Sequence, residues 1–438
     1  MKKESDYNNR SLRVFLGIHE VCGHNINLEK GLRSLGIKCD FYCVVKNSFY
    51  QSNSKPGKLV GLWRRFYELN SITSRKNLMK KILYAGSFRI INILFILSKV
   101  IFYDVLIFSY GIIITNSRLE LLFYKLLRKK IIFVFFGSDS RPPYIAAKYS
   151  NEKVAINFED LLAKTKMQKN KIKNIEKYAD YCINWGPTAH FHEKKFINTM
   201  SLGFPVGIES KNTYEKNSSV VRILHVPSDS AIKGTEYILE ILDHLTNEGV
   251  NFDLKLLRNV PNEIVLDAIE KCDFIIDCQF SDTPLGILGI EAALLGKPTV
   301  VGGYLYKDIK KYFSCYANDV PALYVHPYEM KVGIKKMILD SNFRNDLSRK
   351  AFNFAKKRYN LKTVSNNYLR VINNDIPNDW WFDPYDINYI HGSISADRLN
   401  EISSEYISKF GIGALQLSDK PKLEKKFLEL SKLDLKSK

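Results

Sequence analysis

The sequence predicts an α/β protein with two doubly wound domains that face a cleft, followed by a C-terminal extension. Short Val/Ile-rich runs alternate with helical patterns in two successive halves, which is typical of parallel sheets covered by helices on both faces. At 438 residues the chain is too long for one core. A polar stretch without hydrophobic period, residues 209–219, is interpreted as a linker. We therefore predict domains over residues 1–207 and 218–373 and an extension over residues 374–438.

The first half opens with a strand–helix–strand unit. Strands are predicted at residues 13–18 and 39–45, with a loop at 19–25 and a helix at 26–35 that Gly36 ends. The alternation continues with strands at 104–109, 131–136 and 181–184 and helices at 119–127 and 171–179. Residues 82–110 are the most membrane-like segment, but Lys99 and Asp104 interrupt the apolar run, so we predict that it does not span a bilayer. We interpret it as a buried helix before a strand, with an interfacial helix as the alternative.

The second half repeats the pattern. Strands are predicted at residues 220–226, 252–257, 274–278 and 299–301, and helices at 235–246, 262–271, 329–338 and 343–372. The last residues do not continue it, because the segment DWWFDPYDIN is aromatic and broken by proline. Two amphipathic helices are predicted beyond it, at 395–410 and 421–433. We interpret this extension as packed on the core.

The net charge of +19 is carried entirely by the first 200 residues, which hold 34 Lys/Arg and 15 Asp/Glu. This favours an anionic partner, with an ordinary basic surface as the alternative. Aromatic residues interleaved with one group of cations indicate an anionic membrane surface, the cations being Arg64, Arg65, Arg75, Lys76, Lys80 and Lys81. The Lys-rich run at 164–177 lacks an aromatic platform, so we interpret it as a solvated helix face and predict no nucleic-acid binding.

Cysteine usage and the N-terminus both predict a cytoplasmic protein. The seven cysteines are odd in number and form no Cys-x-x-Cys, as expected of free thiols in a reducing compartment. The first ten residues lack the apolar core of a signal peptide. His19, Cys22 and His24 are close enough in sequence to hold zinc, but no fourth ligand is evident, and a polar loop lining a cleft is the preferred interpretation.

Two loops of the second half have the pattern of a nucleotide site. In SDTPLGILGIEAALLGKPTVV, residues 281–301, a glycine turn follows a buried strand and opens a short helix with one acid, Glu291. Free backbone N–H groups at such a helix start suit a phosphate, and the acid is placed to accept hydrogen bonds from a ribose. In HVPSDSAIKGTEYI, Lys233 and Gly234 precede a helix, where the ammonium suits a diphosphate.

These two loops resemble the donor site of GT-B glycosyltransferases of the family 4 type, in the capsule and cell-surface polysaccharide branch. The segment YDVLIFSY…KKIIFVFFGSDSR is similar to the first-domain pattern of that branch. The resemblance covers residues 12–373 and implies two Rossmann-like domains facing a cleft. It also implies a hexosyltransferase that moves a sugar from a nucleotide-diphosphate sugar to a glycan or lipid-linked acceptor, in capsule or lipopolysaccharide synthesis, at the inner face of the membrane.

The resemblance assigns residues as well. Lys233 would hold the donor pyrophosphate and Glu291 the ribose. The donor-binding set that it implies is Gly23, Ser228, Lys233, Gly234, Thr283, Leu285, Gly286, Ile287 and Glu291. The acceptor-side set is His24, Asn25, Asp139 and Arg141, and the catalytic set is Asp139, Lys233 and Glu291, with Glu20 and His24 as candidate general bases. Because Lys233 and helix dipoles would replace a cation, no metal or cofactor is expected, and the reaction would retain anomeric configuration without a protein nucleophile.

Three positions depart from the family pattern. Thr283 stands where the family has the first of two glutamates, with Asp282 beside it. Ser228 stands where an arginine is usual, and Phe136 where a histidine often precedes the Gly-Ser-Asp turn. Two alternatives therefore stay open: a nucleotide-sugar epimerase that needs no acceptor, and a catalytically degenerate subunit that binds a partner transferase or a lipid.

Overall fold

A computed structural model describes residues 12–44, 58–72, 78–150, 154–211, 220–313 and 320–431 of the chain. The N-terminal decapeptide, Arg75, Lys76, Cys315 and most of the predicted linker lie outside these residues. The prediction of two doubly wound α/β domains facing a cleft, with a C-terminal extension, is confirmed. Each domain is built on its own sheet.

The strands follow the apolar runs of the sequence and are mostly three to five residues long. In chain order they are β1 (Arg13–Leu16), β2 (Lys38–Phe41), β3 (Val105–Ser109), β4 (Lys130–Val134), β5 (Tyr181–Asn184), β6 (Phe196–Asn198), β7 (Val221–His225), β8 (Phe252–Leu256), β9 (Phe274–Ile276), β10 (Thr299–Gly302), β11 (Leu323–Val325) and β12 (Trp381–Phe382).

The helices connect these strands and cover both faces of each sheet. They are α1 (His24–Ser34), α2 (Lys58–Ile72), α3 (Leu78–Ser98), α4 (Arg118–Leu126), α5 (Phe158–Tyr178), α6 (Thr199–Leu202), α7 (Ser230–Lys233), α8 (Thr235–Asn247), α9 (Asn262–Lys271), α10 (Ile287–Leu294), α11 (Ile309–Tyr312), α12 (Met330–Leu339), α13 (Ser341–Arg358), α14 (Leu361–Ile372), α15 (Ala396–Phe410) and α16 (Pro421–Leu430).

The first sheet has the strand order β12-β6-β5-β4-β3-β1-β2, and only β12 runs antiparallel to its neighbour. One face is covered by α1 and α14, which contribute Leu28, Leu32 and Tyr368 to its core. The other face is covered by α3, α4 and α5. Because both faces are buried, the central strands β3 and β4 are apolar without alternation.

The second sheet is parallel throughout, with the order β11-β10-β9-β7-β8. Helices α8 and α12 pack on one face, and α9 and α10 pack on the other. In each sheet the first strand lies between the second and third strands of its domain. The connection from the first strand therefore runs to one side and the connection from the third strand runs to the other, which opens a crevice at the carboxyl ends of these two strands, where ligands of such folds bind.

The chain returns to the first domain after completing the second sheet. Helix α14 packs against α1, and His24 of α1 is hydrogen-bonded to the Tyr368 hydroxyl at 2.7 Å. Strand β12 then pairs with β6 of the first sheet. Tyr406 of α15 and Phe427 of α16 both pack against Tyr144, so the extension lies on the first domain. The two predicted helices of the extension are confirmed.

Several features of the secondary structure differ from the sequence predictions, and the 15-residue helix α2 was not predicted at all. Helix α5 begins thirteen residues earlier than predicted, at Phe158, because the Asn157 side chain caps it by accepting from the Asp160 N–H. The helix predicted at 343–372 is two helices, since Asn360 has an extended backbone and caps α14. Strands β6, β11 and β12 were missed because each has only two or three residues.

The segment predicted to be a buried helix is largely exposed. One face of α3 packs on the first domain, and the other carries exposed apolar residues such as Ile90 and Ile93. Among the described residues, one helical segment, Met79–Phe102, is long and apolar enough to cross a membrane by length and composition, and 28% of it is buried. The prediction that Lys99 and Asp104 leave the segment too short and too broken was therefore wrong by length and composition, while the prediction that it does not span a bilayer stays a prediction.

Candidate active site

The predicted nucleotide loops lie at the crevice of the second sheet, facing the first domain. The loop after β9 leads to Gly286, which precedes α10 and has no side-chain hydrogen bond at its cap. The first N–H groups of α10 therefore have no capping side chain to compete with an anion. Gly286 leaves little room for a side chain, because a Cβ there would lie 3.3 Å from a carboxylate oxygen of Asp277. The loop thus places the first backbone N–H groups of α10 at the cleft.

Glu291 lies one turn into α10, buried at the wall of a cavity of about 240 Å³. Its Oε1 accepts from the Asn262 amide at 3.1 Å, which fixes the carboxylate direction. The cavity has mostly apolar walls with a few polar side chains, which is typical of sites that bind small molecules. Its lining includes Cys22, Ser228, Lys233, Asn262, Ile287 and Glu291.

Lys233 lies across this cavity at the end of α7. Its Nζ is 2.5 Å from Oδ1 of Asp277, a residue of the loop that follows β9. Burial alone would lower the pKa of Lys233, but the Asp277 carboxylate more than offsets this and the pKa is raised. The lysine is therefore held as a fixed positive charge beside the start of α10.

Gly234 is required by the turn that presents Lys233. Its φ is 66°, a left-handed conformation, and a Cβ there would lie 2.5 Å from the Gln279 Cβ. The N-terminus of α7 itself is not free for an anion, since the Asp229 side chain accepts from the N–H groups of Ala231 and Ile232. Of the helix starts in these loops, α8 and α10 lack such a cap.

A second cavity of about 230 Å³ adjoins the first and is large enough for a sugar. The two cavities share Cys22 and Ile287, so they meet at the start of α10. The second cavity is lined by both domains, with Gly137 and Arg141 from the first and Asp282, Thr283, Leu285 and Gly286 from the second. A diphosphate at the start of α10 would therefore have a nucleoside-sized space on one side and a sugar-sized space on the other.

An ion pair between the domains closes one side of the second cavity. The Arg141 guanidinium binds the Asp282 carboxylate, and both side chains are largely buried. The Tyr389 hydroxyl donates to the same carboxylate at 3.2 Å, and the Trp185 indole donates to the Asp282 carbonyl at 2.9 Å. Burial lowers the pKa of Arg141 to about 10, which leaves it charged at neutral pH. Sequence reasoning noted Asp282 only as an offset acid, because its partner is 141 residues away.

Asp139 lies in the wall of the cleft in the turn that follows β4. Its Oδ1 accepts from the Phe136 N–H at 2.8 Å, while Oδ2 has no hydrogen-bond partner among the described residues. Burial raises the pKa of Asp139 to about 6. The residue is near the second cavity but is not part of its lining, whereas Arg141 of the same turn is.

The loop after β1 is more structural than the resemblance implies. Gly23 has φ 75° and begins α1, and the neighbouring Cys22 reaches both cavities. His24 and Asn25, however, are buried in the first domain and line none of these cavities. Burial lowers the pKa of His24 to about 4, so we withdraw His24 and Asn25 as acceptor contacts and His24 as a base.

Glu20 caps α1 rather than facing an acceptor. Its Oε2 accepts from the Ile26 N–H at 3.0 Å, and burial raises the pKa of Glu20 to about 7. Within the residues that the structure describes, no group of three or more His, Cys, Asp or Glu side chains could hold a metal ion. His19, Cys22 and His24 thus do not form a zinc cluster.

A third cavity of about 700 Å³ adjoins the second on the side of the first domain. It is lined by four cations, Arg141, Lys148, Lys164 and Lys171, and none of its described lining residues is acidic. Lys171 is the most enclosed of its lysines, donating to the Tyr110 carbonyl at 3.3 Å. The sequence prediction placed the lysines of residues 164–177 on a solvated face, which holds for exposed Lys164 but is wrong for Lys171, because the helical period turns that side chain towards the cleft.

No family model and no curated protein sequence matches the chain. Solved structures that are similar to it include Anabaena HepE in complex with UDP-glucose, at 12% identity and TM-score 0.47, covering 82% of this chain and 99% of that one. Streptomyces nogalater glycosyltransferase SnogD is similar at 11% identity and TM-score 0.41, covering 82% and 100%. Phytolacca americana UGT2 with UDP-2fluoro-glucose and pterostilbene is similar at 12% and 0.43, covering 83% and 99%. All three scores lie below 0.5, so the fold is assigned from the two sheets of this chain.

Proposed function

We propose that this protein is a GT-B glycosyltransferase, of the family 4 type, that transfers a hexose from a nucleoside-diphosphate sugar. The observation that supports this most directly is the pair of adjoining cavities that meet at the uncapped start of α10. Glu291 lies in one, Arg141 and Asp282 lie in the other, and Lys233 is beside the junction. In this proposal the nucleoside occupies the cavity with Glu291, the diphosphate lies at the start of α10, and the sugar occupies the cavity with Arg141 and Asp282.

The donor diphosphate is the group on which the chemistry depends. The start of α10 and the fixed charge of Lys233 would stabilise the negative charge that develops on the departing diphosphate. Lys233 would take the place of a metal ion, so the proposal includes no metal or cofactor. The Glu291 carboxylate would accept hydrogen bonds from the ribose hydroxyls, which orients the nucleotide and with it the sugar.

We propose that transfer retains the anomeric configuration. Among the described residues that line the second cavity, Asp282 is the only acid, and it is engaged with Arg141 and Tyr389. A carboxylate held in this way is a poor nucleophile. The acceptor hydroxyl would then attack from the face that the diphosphate leaves, with its proton passing to the diphosphate oxygen.

The acceptor in this proposal carries phosphate, as a lipid-linked precursor of capsule or lipopolysaccharide does. The third cavity supports this, because its charged lining is wholly cationic and it adjoins the sugar-sized cavity through Arg141. Lys164 also pairs with Asp160 on the surface, so Arg141 and Lys171 are the stronger candidates for the phosphate. The enzyme would work in the cytoplasm at the inner face of the membrane.

The first test is a melting-temperature panel with UDP, GDP, ADP, dTDP and CMP. A nucleotide at 100 times its Kd stabilises the folded state by about 2.7 kcal/mol, which gives a rise of several degrees. We expect one nucleotide to stabilise the native protein but neither Glu291→Gln nor Lys233→Gln. Glu263→Gln and Lys271→Gln, exposed on neighbouring α9, are the matched controls and should respond like the native chain.

The second test uses the corresponding nucleotide sugar with and without membranes that supply acceptors. Transfer of labelled sugar to lipid only in the presence of membranes supports the proposal. An altered nucleotide sugar without acceptor would show an epimerase, and nucleotide binding without turnover would show the degenerate subunit. A native protein that no nucleotide stabilises would overturn the donor site altogether.

A further inference from the structure

The outward face of α3 is apolar along most of the helix. Its exposed residues recur with the spacing of one helix face and are Met79, Ile82, Leu83, Ile90, Ile93, Leu94 and Leu97. Ile82 is 64% and Ile90 62% exposed. A surface helix of a soluble domain normally presents its polar side to water, so this orientation of apolar residues calls for a partner.

The inward face of α3 is firmly packed. These contacts fix the rotation of the helix about its axis, so its other apolar face stays exposed. Phe95 stacks on Trp63 of α2 with ring centroids 4.3 Å apart. The Trp63 indole donates to the buried Asn92 side chain at 2.7 Å. Turning Ile90 and Ile93 inward would therefore break a stacked pair and leave two polar groups without their hydrogen bond.

Helix α4 continues the apolar surface beside α3. Leu119 and Leu126 are both more than two-thirds exposed, and an open groove of about 570 Å³ runs between the two helices. We define the α3–α4 face as Met79, Ile82, Leu83, Ile90, Ile93, Leu94, Leu97, Phe102, Leu119, Leu122, Leu126 and Leu127. These twelve residues are more than half of the 21 large hydrophobic side chains that the described residues expose, so the apolar surface is concentrated in one place.

The charge around this face is almost entirely positive. Residues 78–130 hold nine Lys/Arg and two acids. Both acids are engaged within the domain, because Asp104 accepts from the Arg13 N–H and buried Glu120 accepts from the Ile114 and Thr115 N–H groups. The exposed cations are Lys80, Arg89, Lys99, Arg118 and Arg128.

We propose that the α3–α4 face docks into the plane of an anionic lipid bilayer. Apolar side chains would enter the acyl boundary while the surrounding cations bind lipid phosphates. A second copy of this chain fits less well, since a symmetric contact would bring cation against cation with no free acid to pair them. A spanning arrangement fits less well too, because it would strip Asn92 and Phe95 from their partners in the domain.

The experiment is co-sedimentation of the full chain with sucrose-loaded vesicles of phosphatidylcholine, alone or with 30% phosphatidylglycerol. We expect binding to the anionic vesicles that falls as salt is raised, because the Debye length shortens. The variant Ile90→Asn/Ile93→Asn/Leu97→Asn should bind at least about tenfold more weakly. Each of the three substitutions removes apolar carbon that would otherwise be buried in the lipid. Val332→Asn/Leu339→Asn, which removes exposed apolar residues from α12, is the control and should bind like the native chain.

Four results would overturn the proposal. One is equal binding by the native chain and the triple variant, and another is no binding to anionic vesicles at all. The third is a native dimer that the triple variant converts to monomer while vesicle binding persists, which would assign the face to a second copy. Extraction from cell membranes only by detergent, and not by salt or alkaline carbonate, would show a spanning helix instead. The nucleotide panel is unaffected by any of these results, so failure here leaves the proposed donor site and transfer reaction standing and removes only the support for a location at the membrane.

Discussion

Asp139 is held at the cleft by one of its two carboxylate oxygens. The Phe136 N–H binds Oδ1, while Oδ2 is buried without a partner among the described residues. The ionised carboxylate is poorly solvated in the folded state, and this burial raises the pKa of Asp139 to about 6. A carboxyl that releases its proton near neutral pH beside a sugar-sized cavity is suited to respond to a ligand's charge.

The Asp139→Asn variant should reveal this cost through its pH dependence. The folded pKa lies above the ordinary 3.8, so the native chain loses stability as pH rises through about 4 to 6 and recovers it as pH falls. Asparagine keeps an acceptor for the Phe136 N–H without the charge. We expect its stability advantage over the native chain to shrink by about 1 kcal/mol between pH 7 and pH 5, measured by urea unfolding.

The control for that comparison is Asp160→Asn, an exposed acid on α5. Its stability difference from the native chain should change little over the same pH range. If the stability difference between Asp139→Asn and the native chain were the same at pH 7 and pH 5, the raised pKa of the buried Asp139 carboxyl would be contradicted.

The sequence could predict that Lys233, Gly234 and Glu291 lie at the crevice, because each has a local signature of strand, turn and helix start. It could not identify the Arg141–Asp282 pair, since nothing local relates two residues that meet only when the domains face each other. His24 was misjudged for the opposite reason. Its position after a β1 loop suggested the cleft, but the α14 tyrosine that buries it lies 344 residues away.

At the scale of the element, α1 and α14 approach each other closely at Gly31. A Cβ on Gly31 would lie 1.9 Å from the Ser365 Oγ, so only glycine allows this contact between the two helices. The contact joins a helix from the start of the first domain to one that follows the second. A small increase in side-chain volume at this contact should therefore lower the free energy of unfolding of the protein.

Gly31→Ala should be destabilising although alanine is the better helix former. Pushing α14 away from α1 is expected to cost about 1–3 kcal/mol, measured from urea unfolding midpoints. Gly61→Ala is the matched control, since Gly61 is also within a helix but a Cβ there meets nothing within 4 Å. That variant should gain about 0.5–1 kcal/mol from the lower entropy of its unfolded state. A gain for both variants would show that the α1–α14 contact is loose.

Most helices and strands with a clear hydrophobic period were predicted from the sequence, including the first four strands of the second domain. The character of α3 was not, because a helix that is apolar all round looks the same whether its second face meets protein or another partner. Nor was the break at Asn360 predicted, although it has a local signal: the Asn360 side chain caps α14 by accepting from the Thr363 N–H, and the helical sequence on both sides of it hid that cap.

At the scale of the whole molecule, the cleft is built jointly by both domains and by the extension. Arg141, Asp282 and Tyr389 come from the first domain, the second domain and the extension, and they meet in one hydrogen-bonded group. Cys22 lies in the same cleft and lines both the 230 Å³ and the 240 Å³ cavity. It is the one exposed cysteine among the described residues, the other five being buried.

Cys22 should therefore report ligand binding without any assay of turnover. Burial raises the pKa of Cys22 to about 11, so we expect N-ethylmaleimide to modify it slowly, at mildly alkaline pH. The nucleotide that raises the melting temperature should slow that modification at least about tenfold further at 100 times its Kd. Mass spectrometry of tryptic peptides measures the rate. Glu291→Gln, tested at the same nucleotide concentration, should show no protection. An unchanged rate in the native chain would place the nucleotide elsewhere.

The return of the chain to its first domain has a consequence for how the protein is made. The first sheet gains β12, and its surrounding core gains Leu423 and Phe427, only after the whole second domain has left the ribosome. Synthesis adds about 5–20 residues per second, so part of the first domain's apolar surface would stay exposed for roughly ten seconds or more before the extension covers it. Vectorial synthesis thus completes the second domain before the first, and a nascent chain halted near residue 373 should be a substrate for chaperones.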